Sequence, residues 1–119
     1  MPTDLHRAPR SSTARLETLP PLVLIADGDD ASRSVREAQL RAAGLRVSVA
    51  RTGFEAIVKA SCQVPDAILL AGSLNDIESM ETARLLTTCS VTSHIPIVRL
   101  KRGGRLPDRI LTRLRRVAA

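Results

Sequence analysis

Two short stretches hold the residue types best able to do chemistry. Asp27-Gly28-Asp29-Asp30 places three carboxylates directly after the apolar run Val23-Leu24-Ile25-Ala26, and a second apolar run, Ala67-Ile68-Leu69-Leu70-Ala71, ends on a methyl group. Carboxylates at the end of a buried strand have two uses. They can offer oxygen ligands to a hard divalent cation, or they can accept the orphan N–H groups at the start of the next helix. The capping use is preferred here, with Asp30 as the cap, because its carboxylate satisfies the orphan N–H groups and suits the positive end of the helix dipole. A carboxylate closing the second run could attack an electrophile, but Ala71 has no lone pair to attack with. No nucleophile and base pair is recognisable elsewhere. Cys62 and Cys89 lack C-x-x-C spacing and His6 and His94 lie far apart, so no zinc set is expected.

The elements that must position these residues alternate in period. Residues 23–26 and 67–71 are continuous apolar runs of the kind found in buried parallel strands. Between them, Ala31, Val35, Ala38 and Ala42 recur at helical spacing and are predicted to be the inner face of a helix that Gly44 stops. Leu45, Val47 and Val49 alternate with polar residues as a half-exposed strand, and Thr52-Gly53-Phe54-Glu55 has capping-box spacing for a helix running to about Cys62. A third helix is predicted from Ser79 to about Thr88, and a fourth strand over 95–100. Pro107 then opens a last helix with Ile110, Leu114 and Val117 on one face and Arg109, Arg113 and Arg116 on another. Strands alternating with helices imply a parallel sheet covered on both faces.

Composition bounds the rest. At 119 residues and 44% hydrophobic the chain fits one packed domain, and with Phe54 as its single aromatic the core must come from Leu, Ile, Val and Ala. The same shortage argues against single-strand nucleic-acid binding by base stacking. Residues 1–20 mix Pro, Ser, Thr and scattered charge and are read as a flexible tail, leaving 21–119 as the domain. No stretch approaches a membrane span, a cytoplasmic protein is expected, and both cysteines are read as small buried hydrophobes. The formal charge of +6 is concentrated at one end, where residues 99–119 carry eight Arg or Lys against Asp108 alone.

VLIADGDD at 23–30, ARTGFEAI at 50–57, PDAILLAGSLND at 65–76 and HIPIVRL at 94–100, in that order and spacing, resemble the receiver domain of bacterial two-component response regulators. The resemblance implies an α/β, flavodoxin-like doubly wound parallel sheet. It also implies a phosphoacceptor Asp at the end of the third strand, an acidic pair after the first strand that holds a divalent cation, a Thr or Ser after the fourth strand, and a Lys after the fifth. Matched residue by residue, Asp27 fits the acidic pair, Gly28 stands where the second acid belongs, Ala71 occupies the phosphoacceptor position and Lys101 takes the hydroxyl position. Asp29 and Asp30 lie further along the loop. Only residues 101–106 separate the fourth strand from the last helix, so the usual fourth helix and fifth strand are missing and a four-stranded sheet of order 2-1-3-4 is expected.

The expectation is therefore a degenerate, stand-alone pseudo-receiver. It is not an enzyme, uses no cofactor or metal, and signals independently of phosphorylation through protein contacts in a two-component-type pathway. Asp27, Gly28, Asp29 and Lys101 form its degenerate pocket, with Lys101 either a counter-charge to Asp27 or a solvated end-of-strand charge. Arg99, Arg102, Arg105, Arg109, Arg113 and Arg116 are the expected partner-binding residues. With no fifth strand, strand 95–100 becomes a sheet edge. Either a partner or second copy covers it and helix 107–117, or that helix closes the gap alone. A nucleic-acid-associated regulator using the basic last helix stays open as the alternative.

Overall fold

Four apolar segments become four parallel strands, as their patterns predict. The computed structural model describes residues 19–72, 74, 78–101 and 104–116. The expected tail over 1–20 falls, up to residue 18, outside the described residues, as do Arg102 and Val117. In chain order the elements are β1 (Leu22–Ala26), α1 (Asp30–Ala42), β2 (Arg46–Ala50), α2 (Gly53–Gln63), β3 (Ala67–Leu70), α3 (Ser79–Thr88), β4 (Ile97–Arg99) and α4 (Asp108–Arg115). The sheet order is β2-β1-β3-β4, a flavodoxin-like arrangement in which α4 follows β4 with no further helix or strand between them among the described residues.

Alternation along each strand divides the core in two. Leu24, Ala26, Ile68 and Leu70 face α2 and α3, where they meet Ala56, Ala60 and Leu86. Val23, Ile25, Ala67 and Leu69 face α1 and α4, where they meet Leu40, Leu106 and Leu114. The core has no aromatic side chain, and Phe54 is 66% exposed on α2. The last helix closes its side of the sheet from within. Leu114 is fully buried, the Gln39 side chain donates to the Leu106 carbonyl (3.1 Å) and accepts from the Leu106 N–H (2.6 Å), and Arg115 Nε donates to the Ala43 carbonyl at 3.2 Å. The apolar face of α4 is thus spent inside the domain.

The helix ends follow local chemistry. Thr52 Oγ1 accepts from the Glu55 N–H at 3.0 Å, and Gly44, at φ +86°, ends α1 in a conformation that glycine adopts without a Cβ clash. The α1 cap is Asp29 rather than Asp30; its carboxylate accepts from the Ser32 N–H at 2.8 Å. Two further expectations are overturned. Ala31, Val35, Ala38 and Ala42 look outward, and the inner face of α1 is Arg33, Arg36 and Leu40. The helix is turned this way because its first two turns pass the Asp27 carboxylate, which needs donors rather than methyl groups. Cys62 and Cys89 are exposed, since Ala56 and Ala60 already define the face of α2 that meets the sheet and Cys89 follows the last turn of α3.

Candidate functional site

In parallel sheets ligands bind beyond the carboxyl ends of the strands, where the strand order reverses. Here that point lies between β1 and β3. The residues matched from the sequence do converge on it. The Asp27 N–H donates to the Ala50 carbonyl (2.9 Å), the Ala71 N–H to the Ala26 carbonyl (2.9 Å) and the Leu100 N–H to the Leu70 carbonyl (2.9 Å). These bonds carry the sheet one residue past its strands and set Asp27, Ala71 and Lys101 at the ends of β1, β3 and β4.

The Asp27 side chain is 1% exposed and fully engaged. One carboxylate oxygen, Oδ1, accepts from the Asp29 N–H at 3.0 Å. The other, Oδ2, accepts from the Ser32 hydroxyl at 2.5 Å and from Arg36 Nη1 at 3.0 Å. Arg36 is itself 4% exposed, and its second guanidinium arm, Nη2, donates to the backbone carbonyl of Lys101 at 3.0 Å. One planar side chain therefore ties the end of β1 to the loop after β4. A buried pair can offset its desolvation only when its geometry is good and the remaining polar atoms are satisfied, and this one meets both terms on the carboxylate side. Arg33 adds a second layer: Nη1 donates to the Asp27 carbonyl at 3.0 Å, and Nη2 pairs with the Asp30 carboxylate. That hydrogen bond and charge hold the Asp30 carboxyl below its ordinary range.

Of the expected pocket, Asp27 is the centre, Asp29 caps α1, Gly28 is half-buried in the turn between them, and Ala71 is buried with a methyl as its only side chain. The Lys101 side chain is exposed, and the cation on Asp27 is Arg36 instead; Lys101 contributes its carbonyl. Sequence reasoning missed Ser32, Arg33 and Arg36. Arg33, Arg36 and Leu40 recur at i, i+3 and i+7, but arginines at such spacing read as solvent-facing until a buried acid is known to lie opposite. Among the described residues no three His, Cys, Asp or Glu side chains come together as a cation site. The expected partner-binding Arg99, Arg105, Arg109, Arg113 and Arg116 are all exposed and none takes part in an ion pair among the described residues.

No family model matches the sequence, and no curated protein matches it. Solved structures do. A response regulator from Chloroflexus aurantiacus aligns with 77% of this chain and 75% of its own at 29% identity and TM-score 0.67. The receiver domain of a sensor histidine kinase from Pseudomonas aeruginosa aligns over 84% of this chain and 99% of its own at 22% identity and TM-score 0.73; that structure has a magnesium ion in its active site cleft. The chain has the receiver fold. The chemotaxis response regulator CheY4 of Vibrio cholerae aligns with this receiver-like domain over 67% of each chain at 25% identity and TM-score 0.64. No described helix of the receiver-like domain is long and apolar enough to cross a membrane.

Proposed function

We propose that this chain is a phosphorylation-independent receiver-like signalling module, acting by protein contact in a two-component-type pathway. The observation that carries the reading is the Arg36–Asp27 pair. A divalent cation in this place would need several free oxygens, yet both Asp27 oxygens already accept from the Asp29 N–H, the Ser32 hydroxyl and a guanidinium, and Gly28 offers no second carboxylate. The residues present do not fit a bound cation; a protein cation serves the carboxylate instead. Ala71 then leaves a phosphoryl group with no oxygen to receive it. The site is a structural lock rather than a catalytic centre, and the module is expected to work in the cytoplasm without a cofactor.

Incubation with labelled acetyl phosphate and Mg²⁺ tests this. The expected result is no stable label and no change in melting temperature on adding Mg²⁺ and beryllofluoride. Label that disappears in an Asp27→Asn variant would overturn the reading. The run of exposed arginines around α4 supports a second reading, binding to nucleic-acid phosphates. Duplex DNA titrated at two salt concentrations decides it, because phosphate binding must weaken steeply with salt.

A further inference from the structure

β4 is the last strand of the sheet, and no strand among the described residues pairs with its outer edge. The Pro96 carbonyl accepts from the Ile68 N–H, the Leu100 N–H donates to the Leu70 carbonyl, and Val98 lies opposite Leu69. Backbone groups alternate in direction along a parallel strand, so those of Pro96, Val98 and Leu100 serve β3. The N–H and C=O groups of Ile97 and Arg99 point the other way, toward no strand among the described residues. Between α4 and the start of β3 and β4 lies a small groove of about 40 Å³ lined by Ala67, Pro96, Ile97, Val98 and Ile110, with Arg113 on its wall.

Charge decides what this surface fits. Arg99 is exposed on the strand itself, Arg113 borders the groove, and Arg109 lies one turn before it, none with an acidic partner among the described residues. A second copy fits poorly. Antiparallel pairing of β4 with itself about Val98 would bring Arg99, Arg109 and Arg113 of two copies into one interface, and juxtaposed like charges cost several kcal/mol. The chain's own residues 1–18 hold Asp4 and Glu17 against Arg7, Arg10 and Arg15, so they too carry the wrong sign. We infer that the β4 edge and its groove take an extended, acidic segment of a partner protein. The segment pairs its backbone with Ile97 and Arg99, sets alternate apolar side chains beside Val98 and Ile110 on the α4 face, and presents the carboxylates between them to Arg99 on the opposite face. This rests on reading the domain as a protein-contact module and names the contact.

The test uses the full chain and a fluorescein-labelled heptapeptide of alternating Val and Glu. Its controls are a peptide of the same composition in block order, the alternating peptide N-methylated on one backbone edge, and a polyglutamate of equal charge. The alternating peptide is expected to bind at least tenfold more tightly than each control by fluorescence anisotropy. Amide exchange at Ile97 and Arg99 should slow at least tenfold on binding, and Arg99→Glu should weaken binding at least tenfold without lowering the melting temperature. Equal binding of all four peptides, unchanged exchange at Ile97 and Arg99, or no binding at millimolar peptide would each overturn the inference. So would a dimer in sedimentation equilibrium whose Ile97 and Arg99 amides are protected without peptide, or duplex DNA displacing the alternating peptide. Failure here with no acetyl-phosphate labelling leaves the module reading standing, whereas labelling defeats that reading whatever the peptides do.

Discussion

Replacing Arg36 with Met keeps most of the aliphatic stem while removing the charge and both donor arms. Two losses follow. Asp27, 1% exposed, is left as a buried carboxylate without its cation, and breaking a buried pair from one side costs about 3–5 kcal/mol. The Lys101 carbonyl also loses a charged donor at 3.0 Å, a bond of the class worth roughly 1.5–3 kcal/mol. The Asp29 N–H and the Ser32 hydroxyl remain on Asp27 and soften the first loss, so a total of about 4 kcal/mol is expected from these ranges. In a domain of this size that lowers the melting temperature by on the order of 20 °C. Urea denaturation of the wild type, Arg36→Met, Asp27→Asn and the double variant measures it. The double variant should lose less than the sum of the singles by about 2 kcal/mol, because the second substitution removes a group the first had stranded. Arg36→Lys should recover only part of the loss, since an ammonium lacks the fork that reaches Asp27 and Lys101 together. A cost below about 1 kcal/mol for Arg36→Met, or singles that add within about 0.5 kcal/mol, would refute the lock.

Three further outcomes are expected. Gln39→Ala removes both bonds between α1 and the Leu106 backbone and should cost about 2 kcal/mol in urea denaturation; Gln39→Glu, which keeps the acceptor but turns an oxygen onto the Leu106 carbonyl, should cost no less. Val64 ends α2 at φ 45° and ψ 66°, a left-handed conformation that crowds a β-branched side chain, so Val64→Gly should raise stability by roughly 0.5–1 kcal/mol after glycine's extra unfolded-state freedom is counted. The Asp30 and Glu81 carboxyls are held below their ordinary values of 3.8 and 4.5 by hydrogen bonds from Arg33 and Arg84. Groups depressed in the folded state contribute stability above those ordinary values and lose it as pH falls through the lower folded ones. Stability should therefore decline below about pH 4.5, and Glu81→Gln should flatten part of that decline in acid titrations followed by circular dichroism.

The four strands and four helices were legible in the sequence because the signals that set them are local. Continuous apolar runs gave β1 and β3, the Thr52 to Glu55 spacing gave the start of α2, and Gly44 marked the end of α1. Reading which face of a helix turns inward is a different matter. The small residues Ala31, Val35, Ala38 and Ala42 have the right period for a core face, yet they are exposed, and two arginines with the same period are buried. Nothing within α1 reveals this, because the requirement comes from a carboxylate on another element. The cysteines failed for a related reason: exposure at Cys62 follows from the sheet meeting Ala56 and Ala60, not from the chemistry of a thiol.

By itself the sequence determined that Ala71 ends in a methyl and Gly28 in a hydrogen, neither of which holds a lone pair wherever the chain places it. The strand order came from its resemblance to receiver domains, while the spacing from β4 to the last helix left no room for another crossover. Only the tertiary structure decided which cation meets Asp27. Opposite charges attract through space rather than along the chain, and the fold brings the Arg36 guanidinium, rather than the Lys101 ammonium, within 3.0 Å of Asp27. The same folding buries Leu114 of α4 in the core and leaves the backbone of Ile97 and Arg99 at a positively charged edge that no strand among the described residues pairs with.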